Sequence, residues 1–309
     1  MADERVTRSE LFELRLELPD KHLDRLASRL VGFSRRHERL RCHIRMLIDE
    51  EGLEGWSRNY YGRRVPLLDV VGDRYPLVVF HGDVGTGKTA TAEAVSNTFA
   101  RELGREATLF KLSTRVRGTG YVGQMSWLIN QAFQAVTTAA ADGGLAFLII
   151  DEADFLAESR ESGRSHHEDK VAVNTLIQKV DDVRRFGGRV LIFLCTNRYS
   201  ALDPAVVRRA GHVERFDRPD DEQREELLRL DCEGLGLPDE TIQELVRMTG
   251  PDGTSRPIGY TYSDIRTRLL PEALSRAYPH RGVESRDLIE TARTMEPSPA
   301  MEDSAQRES

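Results

Sequence analysis

Cysteine is scarce in this chain of 309 residues: Cys42, Cys195 and Cys232 stand far apart, with no C-x-x-C pair. That excludes a disulfide framework and the paired-cysteine form of a structural zinc site. Long apolar runs are missing as well, since none approaches the ~20 residues that a membrane helix needs. The opening stretch "MADERVTRSELFELRLELPD" is charged from its third residue and lacks the apolar centre of a secretory signal. Nor is there an excess of positive charge, because 44 Lys and Arg face 51 Asp and Glu for a net charge of -7. No global basic field therefore favours nucleic acid or an anionic membrane. These absences lead to the expectation of a cytoplasmic protein in a reducing compartment, with no membrane and no direct nucleic-acid partner. The chain is long enough for one large domain or two moderate ones.

What is present has an order. Residues 1–75 read as charged helices, with Leu23, Leu26, Leu30 and Val31 at helical spacing, followed by a linker that contains Trp56, Tyr60 and Tyr61. From 76 to 218 the pattern alternates. Apolar strands "LVVFHG" (77–82), "ATLFKL" (107–112), "LAFLIID" (145–151) and "RVLIFLCTN" (189–197) are separated by helical stretches at 88–103, 124–141 and 168–185. Continuous apolar strands between helices indicate an α/β fold with a parallel sheet sandwiched by helices. Residues 219–295 give only helices, a small all-α domain, and 296–309 read as a disordered tail.

The strand at 77–82 runs into Gly82-Asp83-Val84-Gly85-Thr86-Gly87-Lys88-Thr89, which fits G-x-x-x-x-G-K-[ST]. Glycines let successive backbone N–H groups turn toward phosphate oxygens, and the helix that follows adds its N-terminal dipole. Lys88 then reaches the β and γ phosphates, and the Thr89 hydroxyl is a ligand for Mg²⁺. The strand "LAFLII" ends in Asp151-Glu152. At that end of an open α/β sheet, Asp151 is placed to hold the Mg²⁺ through water and Glu152 to polarise an attacking water. Thr196-Asn197 close a further strand, where Asn197 can orient the same water.

Together these stretches resemble the AAA+ ATPases, over residues 77 to about 278, with "GDVGTGKT" as Walker A, "LIIDEAD" as Walker B and "CTN" as sensor 1. The resemblance implies a P-loop NTPase domain followed by a helical lid, with ATP and Mg²⁺ as cofactors and a homo-oligomeric ring, usually a hexamer. "ALDPAVVRRAGHVERFDRPD" looks like the stretch with the arginine finger; Arg209 is the first candidate and Arg208 the second. Tyr121-Val122-Gly123 matches the aromatic, hydrophobic, glycine pattern of the pore loop that grips a polypeptide substrate. "ESRESGRSHHEDK" is a candidate second pore-facing loop, with His166 and His167 near its centre.

A narrower resemblance links residues 167–210 and "YSDIRTRLLPEALSRAY" to the pachytene-checkpoint type of remodellers, which act on HORMA-domain proteins and include bacterial members beside anti-phage signalling enzymes. It implies a HORMA-domain protein as substrate, and it makes Arg266 or Arg268 the lid arginine that senses the γ-phosphate. Asp83-Val84 stands where the family frequently has Pro-Pro. A general unfoldase, a nucleic-acid loader or initiator and a non-hydrolysing scaffold are the competing readings.

Overall fold

The computed structural model describes residues 11–112, 124–141, 143–153, 166–253 and 256–301. The chain divides into two compact units, one from residues 1–27, 33–81 and 89–214, the other from 28–32, 82–88 and 215–309.

In the first unit the elements follow as β1 (Phe12–Leu18), α1 (Lys21–Arg29), α2 (Phe33–Ile48), α3 (Glu50–Tyr61), α4 (Leu67–Gly72), β2 (Leu77–Gly82) and α5 (Lys88–Leu103). β3 (Ala107–Leu112), α6 (Gln124–Ala141), β4 (Leu145–Ile150), α7 (His166–Val183), β5 (Val190–Thr196), α8 (Pro204–Val207) and β6 (His212–Phe216) complete the series. The six strands form one sheet in the order β1-β3-β4-β5-β2-β6. β3, β4, β5 and β2 are mutually parallel, and Ile150 pairs with Leu194 and His81 with Thr196, so that the C-terminal ends of β2, β4 and β5 lie side by side. Every residue of β4 and β5 is buried. Each large apolar side chain withdrawn from water there contributes about 1.5–3 kcal/mol, which is why these strands need no alternation. Leu128, Phe133 and Val136 of α6 and Leu176 and Val180 of α7 close one face of this core.

The N-terminal segment departs from the expectation of helices and linker. Residues 12–18 form a strand that pairs antiparallel with β3, Arg15 opposite Phe110 and Leu18 opposite Ala107. Its alternation, Phe12, Leu14, Leu16 and Leu18 against Glu13, Arg15 and Glu17, suits a sheet edge. The Asn97 side chain of α5 then fixes the turn after it: it accepts from the Asp20 N–H at 2.6 Å and donates to Asp24 at 2.8 Å. Residues 11–27 thus belong to the α/β unit rather than to a separate N-terminal domain. The expected linker is largely helical, shared between the end of α3, which the Asp49 carboxylate caps on the Gly52 N–H, and α4; the exposed Trp56 contacts Tyr60 and Tyr61, both exposed as well.

The second unit carries α9 (Asp221–Asp231), α10 (Asp239–Thr249), a π-helical segment (Asp264–Leu269) that continues as α11 (Leu270–Ala277), and α12 (Ser285–Thr294). Capping boxes start α9 (Asp220 with Gln223) and α12 (Glu284 with Asp287). Leu227, Leu228, Ile242, Leu245, Ile265, Leu269 and Leu288 form its core. Residues 296–301, assigned above to a disordered tail, are held by named bonds to this unit; 302–309 lie outside the described residues.

Candidate active site

At the C-terminal ends of the central strands of the first unit, Thr89 is the second residue of α5 and Asp151 the first after β4. The Thr89 hydroxyl donates to Asp151 Oδ2 at 2.7 Å, while Asp151 Oδ1 accepts the Glu152 N–H at 2.9 Å. Two hard oxygens in contact fit a Mg²⁺ ion carried by nucleotide phosphates, which needs only one or two protein oxygens of its own. Glu152 is exposed and takes φ = 48°, the one positive φ of a non-glycine among the described residues. A left-handed glutamate at a strand end is strained, and such strain concentrates at functional positions. Asn197 follows β5 directly and is half-buried.

Sequence reading overlooked a neighbour of this carboxylate. Lys111 interrupts the apolar strand β3 and pairs with Ile149 across the ladder, and its ammonium lies 3.3 Å from Glu93 and 3.5 Å from Glu13. Burial pushes the Glu93 carboxyl upward; the same burial disfavours the Lys111 charge, but Glu93 and Glu13 outweigh it and hold the ammonium above its ordinary value. The signal was available: a lysine inside "ATLFKL" is out of place in a buried strand unless it is paired.

The loop 82–88 belongs to the second unit. Gly82, Gly85 and Gly87 take φ of 140°, 75° and 91°. A Cβ on Gly82 would lie 2.0 Å from the Phe216 carbonyl, and one on Gly85 2.6 Å from the Ser263 Cβ. Both positions therefore require glycine. The Lys88 ammonium folds into the loop and donates to the carbonyls of Gly82 at 2.9 Å and Asp83 at 2.7 Å, and the Thr86 hydroxyl donates to the Asp83 carbonyl at 2.7 Å. Val84 is exposed. A glycine-rich loop at a helix start, with a lysine folded into it, has the chemistry to cradle phosphate once that lysine turns to the ligand.

Comparison with known proteins agrees with this geometry. The family model for "ATPase family associated with various cellular activities (AAA)" matches residues 78–218. CD-NTase-associated protein 6 of Escherichia coli strain KTE188 is 49% identical over 299 residues, which is 96% of this chain and 100% of that protein. The chain belongs to the CD-NTase-associated protein 6 family of AAA ATPases. Among solved structures, a chain of an E. coli MS115-1 HORMA:CdnC:Trip13 complex matches with TM-score 0.86 at 39% identity, over 96% of this chain and 99% of that one. A Rhizobiales Trip13 structure matches with TM-score 0.71 at 30% identity, over 94% of this chain and all of the other.

For an AAA ATPase the arginines matter next, and the structure separates each expected pair. Arg209 is engaged by its own chain: Nε and Nη2 donate to the two oxygens of Asp181 at 2.6 and 2.9 Å, Nη1 donates to the Ala205 carbonyl, and the guanidinium lies over the Tyr75 ring. The bond to Asp181 raises its already high pKa. Arg208, at the C-cap of α8, is exposed. In the lid, Arg266 donates to Asp231 and to the Arg29 carbonyl. Arg268 donates instead to Asp264 at 2.9 Å, whose neighbour Ser263 gives its N–H to the Gly85 carbonyl of the phosphate loop at 3.1 Å.

Tyr121, Val122 and Gly123 lie outside the described residues, as do the side chains of His166 and His167, although α7 begins at His166. Among the described residues no helix is long and apolar enough to cross a membrane.

Proposed function

We propose that this AAA ATPase hydrolyses ATP with Mg²⁺ and uses the cycle, in a homo-oligomeric ring, to remodel a HORMA-domain protein in a bacterial anti-phage signalling system. The observation that carries the chemistry is the Thr89–Asp151 contact, which joins the phosphate-loop helix to the acidic strand end. Mg²⁺ bound there would neutralise developing phosphate charge. Lys88 and the loop N–H groups hold the phosphates, Asp151 and Thr89 hold the metal's coordination sphere, and Glu152 takes the proton of the attacking water as Asn197 orients it.

An arginine from the neighbouring subunit completes the charge balance. Arg208 is the better candidate, because moving Arg209 into another subunit would break a bidentate pair to Asp181 that its own fold already makes. In the lid, Arg268 takes precedence over Arg266 as the γ-phosphate sensor, since its Asp264 partner is tied to the segment that touches the loop. Tyr121, with Val122 and Gly123, remains the proposed grip on the polypeptide.

The substrate class is supported by full-length similarity to CD-NTase-associated protein 6 and by the HORMA-containing complex of the E. coli relative. The test is ATP turnover with a purified HORMA-domain protein or with DNA added. Stimulation by the HORMA-domain protein, lost in Tyr121→Ala while basal hydrolysis persists, is the expected result. Stimulation by DNA alone would replace this reading with that of a nucleic-acid loader.

A further inference from the structure

Asp83, the second residue of the phosphate loop, accepts from Lys88 at its backbone carbonyl, and the residue is 5% exposed with its carboxylate engaged on both oxygens. Oδ2 accepts from Arg218 Nε at 2.7 Å, and Oδ1 accepts the backbone N–H of Met301 at 2.9 Å. Arg218 extends the contact, because Nη1 donates to the Gly259 carbonyl at 2.7 Å and Nη2 to the Ser298 carbonyl at 2.8 Å. Ser298 in turn donates its hydroxyl to Asp264 Oδ1 at 2.5 Å and its N–H to Asp264 Oδ2 at 3.1 Å. Asp264 is itself 1% exposed and accepts the Thr261 N–H at 2.9 Å, and the Ser263 beside it donates its N–H to the Gly85 carbonyl. A closed circuit of bonds therefore leaves the phosphate loop at Asp83, passes through Met301, Ser298, Asp264 and Ser263, and returns to the loop at Gly85. Every member lies in the second unit.

The circuit depends on the segment after α12. If residues 296–301 leave, Asp83 loses one donor and Asp264 loses two, in surroundings where a buried acceptor without a partner is costly. If they stay, the two loop positions that flank Val84 are fixed at both ends. We propose that residues Glu296–Met301 are a strap which, through Asp83 as a positioning residue, clamps the phosphate loop to the start of the π-helical segment and so sets the rate at which bound nucleotide leaves. The aspartate at position 83 is the acceptor that makes the clamp; a proline there could not bind the strap. This proposal rests on the reading of the loop as a nucleotide cradle.

The test is release of a fluorescent ADP analogue, followed by stopped-flow in the full-length chain. Met301→Pro removes the backbone N–H that the strap gives to Asp83 and leaves the loop sequence and Arg218 intact; Ser298→Ala removes the hydroxyl bond to Asp264 and the longer one, 3.4 Å, that the same hydroxyl accepts from Arg268 Nη1. Release is expected to quicken by about tenfold in Met301→Pro, the scale of one hydrogen bond to a charged group, and by about threefold in Ser298→Ala. In Asp83→Ala, adding Met301→Pro is expected to change nothing further, because Asp83→Ala already removes the bond that Met301 makes; a merely destabilised lid would give additive effects. Release within twofold of the parent in both single variants, or additive effects in the double, overturns the clamp and leaves the cradle standing. A parent that binds no nucleotide overturns the cradle and the clamp together.

Discussion

Two aspartates belong to the two sequence motifs of the candidate site, Asp83 within the glycine-rich loop and Asp151 at the end of the acidic strand, and their surroundings differ in kind. Asp83 is buried and matched by a guanidinium and a backbone N–H. Asp151 is half-buried and accepts from a hydroxyl and a backbone N–H, both neutral donors. A carboxylate already neutralised by arginine has little to offer a cation, whereas one bonded to neutral donors keeps its charge for a metal. The adjacent arginines show the same division, Arg209 bound to Asp181 and stacked on Tyr75, Arg208 exposed. On the function proposed above, the saturated Asp83 and Arg209 serve the fold, while Asp151 and the exposed Arg208 serve ligand and neighbour.

That contrast can be broken in four places. Arg208→Ala should cut ATP turnover by about a thousandfold or more, as loss of an arginine finger does, with folding unchanged; if Arg209→Ala does so instead, the division fails for the arginines. Glu152→Gln should lower turnover by at least about a hundredfold and leave nucleotide bound, as measured by phosphate release and by equilibrium binding. Arg209→Ala should leave turnover within a few-fold and lower stability by about 1 kcal/mol, a modest figure because Asp181 is 40% exposed and water screens the pair; a denaturant melt reads it.

The smallest effect is on acid stability. Burial alone would raise the Asp264 carboxyl, but the bonds from Ser298 and Thr261 outweigh it and hold the group below its ordinary value. Its folded value lies below its unfolded one, so its contribution is present above the unfolded carboxylate range and is lost as pH falls through the folded value. The melting temperature of the parent should therefore fall more steeply than that of Ser298→Ala between about pH 5 and about pH 3. Parallel curves would show that the strap does not tune Asp264.

Much of this was legible beforehand because local pattern and global fold agree in the centre of the chain. The apolar runs at 77–82, 107–112 and 145–150 are buried on both faces, so they read as strands without alternation. Lys88 and Thr89 stand out because the spacing of a phosphate loop is dictated by its chemistry, and Asp151-Glu152 because an acidic pair ends an apolar strand; the structure brings Thr89 and Asp151 into contact. β1 was overlooked although Phe12-Glu13-Leu14-Arg15-Leu16-Glu17-Leu18 alternates cleanly, because its partner β3 lies about ninety residues away and nothing local announces the pairing. The strap was illegible for a different reason: "EPSPAM" has the composition of a solvated tail, and its order comes from two buried carboxylates elsewhere in the sequence. The ranking of Arg209 over Arg208 followed a family spacing, and spacing says nothing of Asp181, which lies 28 positions upstream.

The most direct measurement is Mn²⁺ binding, by electron paramagnetic resonance, to the full-length chain held saturated with a non-hydrolysable ATP analogue, in the parent, Asp151→Asn and Asp83→Asn. The account predicts that Asp151→Asn weakens the metal by about tenfold or more, and that Asp83→Asn leaves its affinity unchanged. Loss of metal in Asp83→Asn with retention in Asp151→Asn would contradict it.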